Sequence, residues 1–204
     1  MPEGPEIARE ADRIREAIEG KEATAVRFAF SHLARRGRGL AGCRIRSVRP
    51  RGKAMLIAFD NGWTIYSHNQ LYGRWFVRKA GALPNTRRQL RLAIETGDRW
   101  ALLYSASEID LLDEAGVAMH PYLAKLGPDA LDPELTQDEI RVRLEDPRFS
   151  RRSLGALRLD QSFVAGLGNY LRSEICFDAR VHPAARPVDL EAKARRRLAR
   201  AVLT

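Results

Sequence analysis

Residues 54–68 read Ala-Met-Leu-Ile-Ala-Phe-Asp-Asn-Gly-Trp-Thr-Ile-Tyr-Ser-His. They predict two β-strands, over 54–59 and 63–68, because both runs are short, mostly apolar and bounded by turn residues. The pair Asn61-Gly62 between them is a favoured dipeptide for a tight turn. The stretch therefore predicts a β-hairpin, and the rest of the N-terminal half extends the same pattern.

Further short strands are expected over residues 24–30, 43–48, 74–77, 90–96 and 100–104. Gly97-Asp98 marks a second tight turn. Short strands with regular turn signals are typical of a β-sandwich or a barrel. One amphipathic helix over residues 5–19 precedes them, because apolar side chains recur there at helical spacing and Gly20 follows as a stop.

The second half of the chain has a helical pattern. A proline-punctuated segment follows residue 120, and helices are then expected over 136–145, 151–160, 168–178 and 189–203. The expected fold class is α+β, with a β-sandwich domain behind a leading helix over residues 1–132 and an all-α domain over residues 133–204. The last helix has no stop signal before Thr204, so we expect that domain to be truncated at its C-terminal end.

Charge indicates a polyanionic partner. The 204 residues carry a net charge of +9, with thirty arginines and five lysines. Residues 23–94 contain fifteen of these basic residues and one acid, Asp60, which favours binding to a phosphate backbone. The alternative is a basic protein from an arginine-rich proteome with no such partner.

No apolar run or leader is present, so no membrane association and a cytoplasmic location are expected.

The opening residues Met-Pro-Glu-Gly-Pro-Glu allow covalent chemistry. Removal of Met1 would leave Pro2 as a secondary amine, and an α-amino group with a pKa of about 8 is partly unprotonated at neutral pH. Such an amine can attack a carbon centre, and Glu3 is placed to move protons beside it. The alternative is a helix start, with Pro2 and Pro5 in the first turn and Glu3 and Glu6 at the positive end of the helix dipole.

Two segments of the first domain are candidate DNA contacts. Gln70, Leu71 and Tyr72 follow a predicted strand, and an apolar wedge of this kind fills the gap that an extruded base leaves in a duplex. Leu71 and Tyr72 are equally compatible with ordinary sheet core. Lys53 is a candidate for phosphate binding or proton transfer, or a solvated charge.

In the second domain, residues 159–170 predict a turn between two helices, and Asn169 begins the second of them. Helix N-termini bind phosphate, and an asparagine side chain adds a hydrogen bond. The alternative is a helical hairpin with glycines for close packing.

No metal site is expected. The acidic cluster Glu108, Asp110, Asp113 and Glu114 is interpreted as a solvated face, and Cys43 and Cys176 show no zinc spacing.

Residues 1–6, 51–53, 67–73 and 160–170 together resemble the formamidopyrimidine-DNA glycosylase/endonuclease VIII family of base-excision repair enzymes. Gly4 and the turn at 70–72 are closer to the endonuclease VIII branch, with the formamidopyrimidine/8-oxoguanine branch as an alternative. A non-catalytic nucleic-acid-binding module is the alternative from another functional class.

The resemblance implies a β-sandwich followed by a helix–two-turns–helix domain. It also implies a bifunctional glycosylase and abasic-site lyase, in which Pro2 forms a Schiff base with C1′, Glu3 transfers protons and the strand is cut by β,δ-elimination. Lys53 matches a catalytic lysine. The matched DNA-binding residues are Gln70, Leu71, Tyr72, Lys125 and Asn169, and the residues matched as supporting the active site are Glu6 and Arg172.

The implied partner is double-stranded DNA with damaged pyrimidines or abasic sites, bound by a monomer in the bacterial nucleoid. Members of the family continue into a C-terminal zinc finger with four cysteines. Because the chain lacks such a set, no zinc is expected on these residues, and one zinc is expected on the parent protein.

Overall fold

The protein is described by a computed structural model that covers residues 2–203. The chain divides into two compact units, the first running through Ala124 and the second beginning at Lys125. The sequence pattern predicts a boundary near residue 132. Residues 125–132 lie with the second unit because the main-chain N–H of Gly127 donates to Gln161 and that of Ala130 donates to Ala165, at 2.9 and 3.1 Å.

The first unit contains two four-stranded antiparallel sheets, in the orders β1-β6-β7-β5 and β2-β3-β4-β8. Helices α1 and α2 and the final short helix α3 complete it. The bounds are α1 Gly4–Ile18, β1 Ala25–Phe28, α2 Ser31–Gly37, β2 Ile45–Arg51, β3 Ala54–Phe59, β4 Thr64–His68, β5 Arg74–Lys79, β6 Leu90–Glu95, β7 Arg99–Tyr104, β8 Glu108–Leu112 and α3 Glu114–Met119.

The two sheets enclose one apolar core, which confirms the predicted β-sandwich. Alternate residues of the strands point into it, since side chains in a strand face opposite sides with a period of two. The predicted stripe of α1 (Ile7, Ala11, Ile14 and Ile18) is buried in the same core. The helix that begins beside Pro2 is therefore fixed to the sandwich along its length.

The last strand of the sandwich, β8, was not predicted. Glu108 and Asp110 belong to the acidic cluster interpreted as a solvated face, but they alternate with the buried Ile109 and Leu111, and the strand pairs with β4. The interpretation of the acidic cluster as a solvated face is wrong for Glu108, because this carboxylate accepts a hydrogen bond from the hydroxyl of the fully buried Tyr66 at 2.8 Å.

The second unit is helical, as predicted. Its helices are α4 Gln137–Glu145, α5 Pro147–Ser150, α6 Leu154–Leu157, α7 Asn169–Asp178 and α8 Ala192–Val202. The helix predicted over 151–160 is limited to α6, since Ser153 caps its start and Asp160 accepts hydrogen bonds from the main chain and hydroxyl of Ser162. In residues 2–203, none of the helices is long and apolar enough to cross a membrane.

Candidate active site

The N-terminal segment is bound tightly at the start of α1. Glu3 precedes the helix, and its side chain is only 4% exposed. Its main-chain N–H donates to Oε2 of Glu6 at 2.9 Å, so the predicted supporting residue Glu6 holds the main chain next to Pro2. Pro5 occupies the first turn, and the helix-start interpretation of the hexapeptide is therefore correct for Pro5. Met1, whose removal the nucleophile requires, lies outside the described residues.

Lys53 lies in the two-residue turn between β2 and β3 and is half-buried. Its main-chain N–H donates to the hydroxyl oxygen of Tyr122 at 2.9 Å. Burial lowers the pKa of the Lys53 ammonium because removal from water disfavours its charged form, whereas the negative charge of Glu3 raises it. Lys53 is therefore not a fully solvated charge, and its titration depends on the carboxylate beside Pro2.

The turn after β4 is fixed by side chains from distant parts of the sequence. The amide Nε2 of Gln70 donates to Oε2 of Glu108 at 2.9 Å, and the Ser107 hydroxyl donates to Oε1 of Gln70 at 2.7 Å. The main-chain N–H of Gln70, a residue with φ of +49°, donates to Nδ1 of His68 at 3.1 Å. Both ends of the Gln70 amide therefore bind the protein itself.

Leu71 and Tyr72 protrude from this turn. They are 62% and 69% exposed, so the alternative that placed them in the sheet core is wrong. Arg88 donates to the main-chain oxygen of Tyr72 at 2.5 Å, which holds the tip of the turn against the β5–β6 connection. Leu71 and Tyr72 are exposed while hydrogen bonds hold the main chain that carries them. The pair is therefore available to contact another molecule.

A cavity of about 690 Å³ connects this turn with the N-terminus. Pro2, Leu71 and Tyr72 all line it. Its charged lining residues are the basic Arg9, Arg13, Arg74 and Arg88 and the acidic Glu6, Glu10 and Asp12. The nucleophile candidate, the apolar pair and four arginine side chains therefore lie around one space within the first unit.

In the second unit, Asn169 is exposed at the first position of α7. The turn before it is braced by Gln161, whose Oε1 accepts from Gly166 N–H at 3.0 Å and whose Nε2 donates to the Leu167 oxygen at 2.8 Å. Lys125 is exposed in a short 3₁₀ turn over Leu123–Lys125.

Arg172, also on α7, is held through its main chain. Arg158 donates to the Arg172 oxygen at 3.2 Å and to Sγ of Cys176 at 3.0 Å. Arg158 is only 1% exposed, and burial lowers its pKa to about 10, although Cys176 acts to raise it. The guanidinium remains charged at neutral pH and fixes the first turns of α7 from inside the unit.

Several residues that contact the predicted site were not identified from the sequence. They are Glu10, Tyr122 and Glu108, which contact Asn69, Lys53 and Gln70 respectively. Each lies more than thirty positions from its partner, and no local pattern marks it. In residues 2–203, no group of three or more His, Cys, Asp or Glu side chains is arranged to hold a metal ion.

Family models match both units. The formamidopyrimidine-DNA glycosylase N-terminal domain matches residues 1–106, and the H2TH domain of the same family matches residues 126–204. The chain belongs to the formamidopyrimidine-DNA glycosylase family. It is thus a DNA glycosylase of a DNA-repair family, with the α+β fold of a β-sandwich and a helix–two-turns–helix domain.

Relatives with the name Endonuclease 8 support this assignment. The protein from Pectobacterium carotovorum is 47% identical over 203 residues, which are 100% of this chain and 77% of that protein. The Salmonella dublin protein is 51% identical over 175 residues, 86% of this chain and 66% of that protein. The chain thus spans about two thirds to three quarters of the length of these relatives.

Solved structures share the fold. One is a complex of the Lactococcus lactis Fpg with DNA that contains an abasic site, with a TM-score of 0.80 and 22% identity over 98% of this chain and 75% of that one. Another is a complex of the same bacterium's wild-type Fpg with DNA that contains an oxidised pyrimidine, with a TM-score of 0.82 and 21% identity over 99% and 77% of the two chains.

Proposed function

We propose that the protein removes oxidised pyrimidines from duplex DNA and cuts the strand at the resulting site. The Pro2 nitrogen donates its lone pair to C1′ of the damaged nucleotide, and the glycosidic bond breaks as the base leaves with a proton. The Pro2 nitrogen then loses its proton, and the C1′–O4′ bond breaks as O4′ takes up a proton, which leaves a Schiff base between Pro2 and the opened sugar. Loss of a C2′ proton then expels the 3′ phosphate, and a second elimination expels the 5′ phosphate, which completes β,δ-elimination.

The position of Pro2 is the observation that carries this proposal. It lines the same cavity as the exposed Leu71 and Tyr72, and four arginines line that cavity as well. A duplex with its phosphates near the arginines would present a nucleotide to Pro2 while the apolar pair fills the gap that the base leaves.

Glu3 and Lys53 are proposed as the proton-transfer groups. Glu3 is buried directly beside Pro2, and its charge acts on the Lys53 ammonium. A lysine with a lowered pKa exchanges protons more readily at neutral pH than an exposed one. Glu6 supports the arrangement through its hydrogen bond to the Glu3 main chain, and Gln70 supports the turn that carries Leu71 and Tyr72.

In the second unit, Asn169 and Lys125 are proposed to bind phosphates of the DNA, and Arg172 to support the active site. Asn169 and Lys125 are exposed, and Asn169 stands at a helix N-terminus, where the helix dipole favours an anion. These roles make the segment before Lys125 the catalytic domain and the helical unit a DNA-binding domain.

The substrate class is proposed from the relatives. The proteins that share about half of the sequence have the name Endonuclease 8, and the Lactococcus lactis relative is seen with oxidised-pyrimidine DNA and with abasic-site DNA. The proposed setting is a monomer on damaged duplex DNA in the bacterial cytoplasm. No step of the proposed reaction passes through zinc.

Borohydride trapping tests the mechanism. The protein is mixed with duplex DNA containing thymine glycol or an abasic site, and borohydride reduces any Schiff base to a stable protein–DNA adduct. We expect an adduct whose mass and peptide map place DNA on Pro2, and none after Pro2→Gly substitution plus N-terminal acetylation. Retention of Met1 in the intact mass, or equal trapping by the blocked protein, would contradict the role of Pro2.

The same assay separates the alternatives. A non-catalytic module would bind these duplexes in a shift assay without forming an adduct or cutting the strand. A formamidopyrimidine-type enzyme would cut 8-oxoguanine duplexes faster than thymine glycol duplexes under matched single-turnover conditions.

A further inference from the structure

Glu10 on helix α1 contacts the turn that carries Leu71 and Tyr72. Its Oε2 accepts a hydrogen bond from Nδ2 of Asn69 at 2.7 Å, and the main-chain amide of Trp75 acts on the same carboxylate. Asn69 precedes the exposed pair and Trp75 follows it, so one carboxylate binds both ends of the turn.

The main chain of the turn also closes on itself. The N–H of Gly73 donates to the Asn69 oxygen at 2.7 Å, and Asn69 is only 3% exposed. A Cβ atom at position 73 would lie 2.6 Å from both Cα and O of Asn69, so only glycine fits there without a shift of the main chain. The orientation of Asn69 therefore sets the path of residues 70–73, and Glu10 sets the orientation of Asn69.

Helix geometry connects this contact with the N-terminus. Glu3, Glu6 and Glu10 recur at intervals of three and four residues, so they lie along one side of α1. Glu6, Glu10 and Asn69 line the cavity together with Pro2. Because α1 is buried in the sandwich core, a bond from Glu10 to the turn fixes the turn relative to the helix that begins beside Pro2.

We propose that Glu10 is a positioning residue, which sets the distance between Pro2 and the Leu71–Tyr72 pair through its hydrogen bond to Asn69. This inference rests on the proposed function. The carboxylate takes no part in bond breaking. It holds the Leu71–Tyr72 pair at the distance from Pro2 that lets the pair fill the space left in the duplex while the extruded nucleotide reaches the Pro2 nitrogen.

The test compares two substrates that carry the same abasic site, one double-stranded and one single-stranded. A wedge that fills a gap in a stacked duplex has no gap to fill in a single strand. Glu10→Ala is expected to slow single-turnover cleavage of the duplex by about tenfold to a hundredfold, the usual cost of a misplaced reacting group, and to leave cleavage of the single strand unchanged.

Matched variants make the result specific. Glu10→Gln keeps an acceptor for Asn69 and should restore most duplex cleavage. Asn69→Ala should reproduce much of the Glu10→Ala defect, and the double variant should be no slower than Glu10→Ala, since the Asn69 side-chain bond is already lost in Glu10→Ala. Glu16→Ala, on an exposed position of the same helix, should cleave both substrates like the unaltered protein.

The hydrogen-exchange rate of the Gly73 amide tests the same contact without a measurement of enzyme activity. Loss of the Glu10 bond should speed exchange of the Gly73 amide by about tenfold or more, equivalent to one charge-assisted hydrogen bond, while Glu10→Gln leaves it near its original rate.

Equal slowing on both substrates, no slowing on either, or a Glu10→Gln variant as slow as Glu10→Ala would overturn the positioning role. Failure of the unaltered protein to form a borohydride adduct would instead overturn the proposed function. In that case the Gly73 exchange rate still shows whether Glu10 holds the turn.

Discussion

The turn at residues 69–73 and the turn at residues 160–168 are both proposed to meet DNA, but different kinds of contact stabilise them. In the first, side chains from distant parts of the sequence, those of Glu10, Ser107 and Glu108, bind the side chains of Asn69 and Gln70. In the second, Gln161 binds the main chain of its own neighbours Gly166 and Leu167, and the main chain of residues 161–165 also accepts hydrogen bonds from Arg143 and pairs with residues 127–130. The first turn presents exposed apolar side chains, and the second presents the start of a helix.

The difference decides where each turn is vulnerable. The second turn depends on the close fit of its main chain against residues 127–130, so its weak points are Gly127 and the bracing amide of Gln161. A remotely braced turn depends on side chains of other elements, so its tip can be changed without loss of fold. Substitutions in or against the second turn should therefore lower the free energy of unfolding. Substitutions at the tip of the first turn should instead weaken DNA binding.

The largest effect on stability is expected from Gly127→Ala. A Cβ atom there would lie 2.5 Å from the Ser162 oxygen and 2.8 Å from the Phe163 oxygen, both main-chain atoms that cannot move aside singly. Relief of this overlap should cost about 3 kcal/mol of the free energy of unfolding of the second unit, measured by native-state hydrogen exchange. Gly155→Ala, whose nearest contact is 3.3 Å away, is the control and should change it by less than about 1 kcal/mol.

Gln161→Ala should have the next largest effect. It removes the donor to the Leu167 oxygen and the acceptor for the Gly166 N–H, and it leaves buried main-chain groups without these partners. The expected loss is about 2 kcal/mol of the free energy of unfolding of the same unit. The same substitution at the exposed Gln137 should be close to neutral. A neutral result at Gln161 as well would mean that the turn is not braced by its side chain.

The sequence predicted the locally determined features well. The hairpin at 54–68, the α1 stripe and the start of α7 at Asn169 follow from periodicity and turn residues close together in the chain, and the structure confirms them. It did not predict β8, because Glu108 and Asp110 belong to the acidic cluster interpreted as a solvated face, although their alternation with Ile109 and Leu111 is itself a strand signal. Nor did it predict the contacts of Glu10 and Tyr122, since folding alone brings these residues to Asn69 and Lys53.

Tyr72→Ala should separate binding from stability at the first turn. The side chain is 69% exposed, so the free energy of unfolding should change by less than about 0.5 kcal/mol. Loss of an aromatic surface that stacks on a base should weaken binding to abasic duplex DNA by about tenfold, measured by fluorescence anisotropy at fixed salt. Tyr72→Phe keeps the ring and should bind normally. A large loss of stability would show that the tip of the turn, contrary to its exposure, supports the fold.

The smallest expected effect is a shift in the pKa of Lys53, which, like the first turn, contacts residues that are distant in the sequence. Burial lowers the pKa of Lys53 and the charge of Glu3 raises it, so Glu3→Gln should lower that pKa further. The charged lysine would then lose its proton at a lower pH than in the unaltered protein, a shift measurable by NMR titration of the Lys53 side chain. Glu16→Gln, which also removes one negative charge from the N-terminal helix, should leave the titration in place. An unchanged Lys53 pKa after Glu3→Gln would mean that the two groups are not coupled, and a raised pKa would mean that Glu3 does not act on Lys53 as a negative charge.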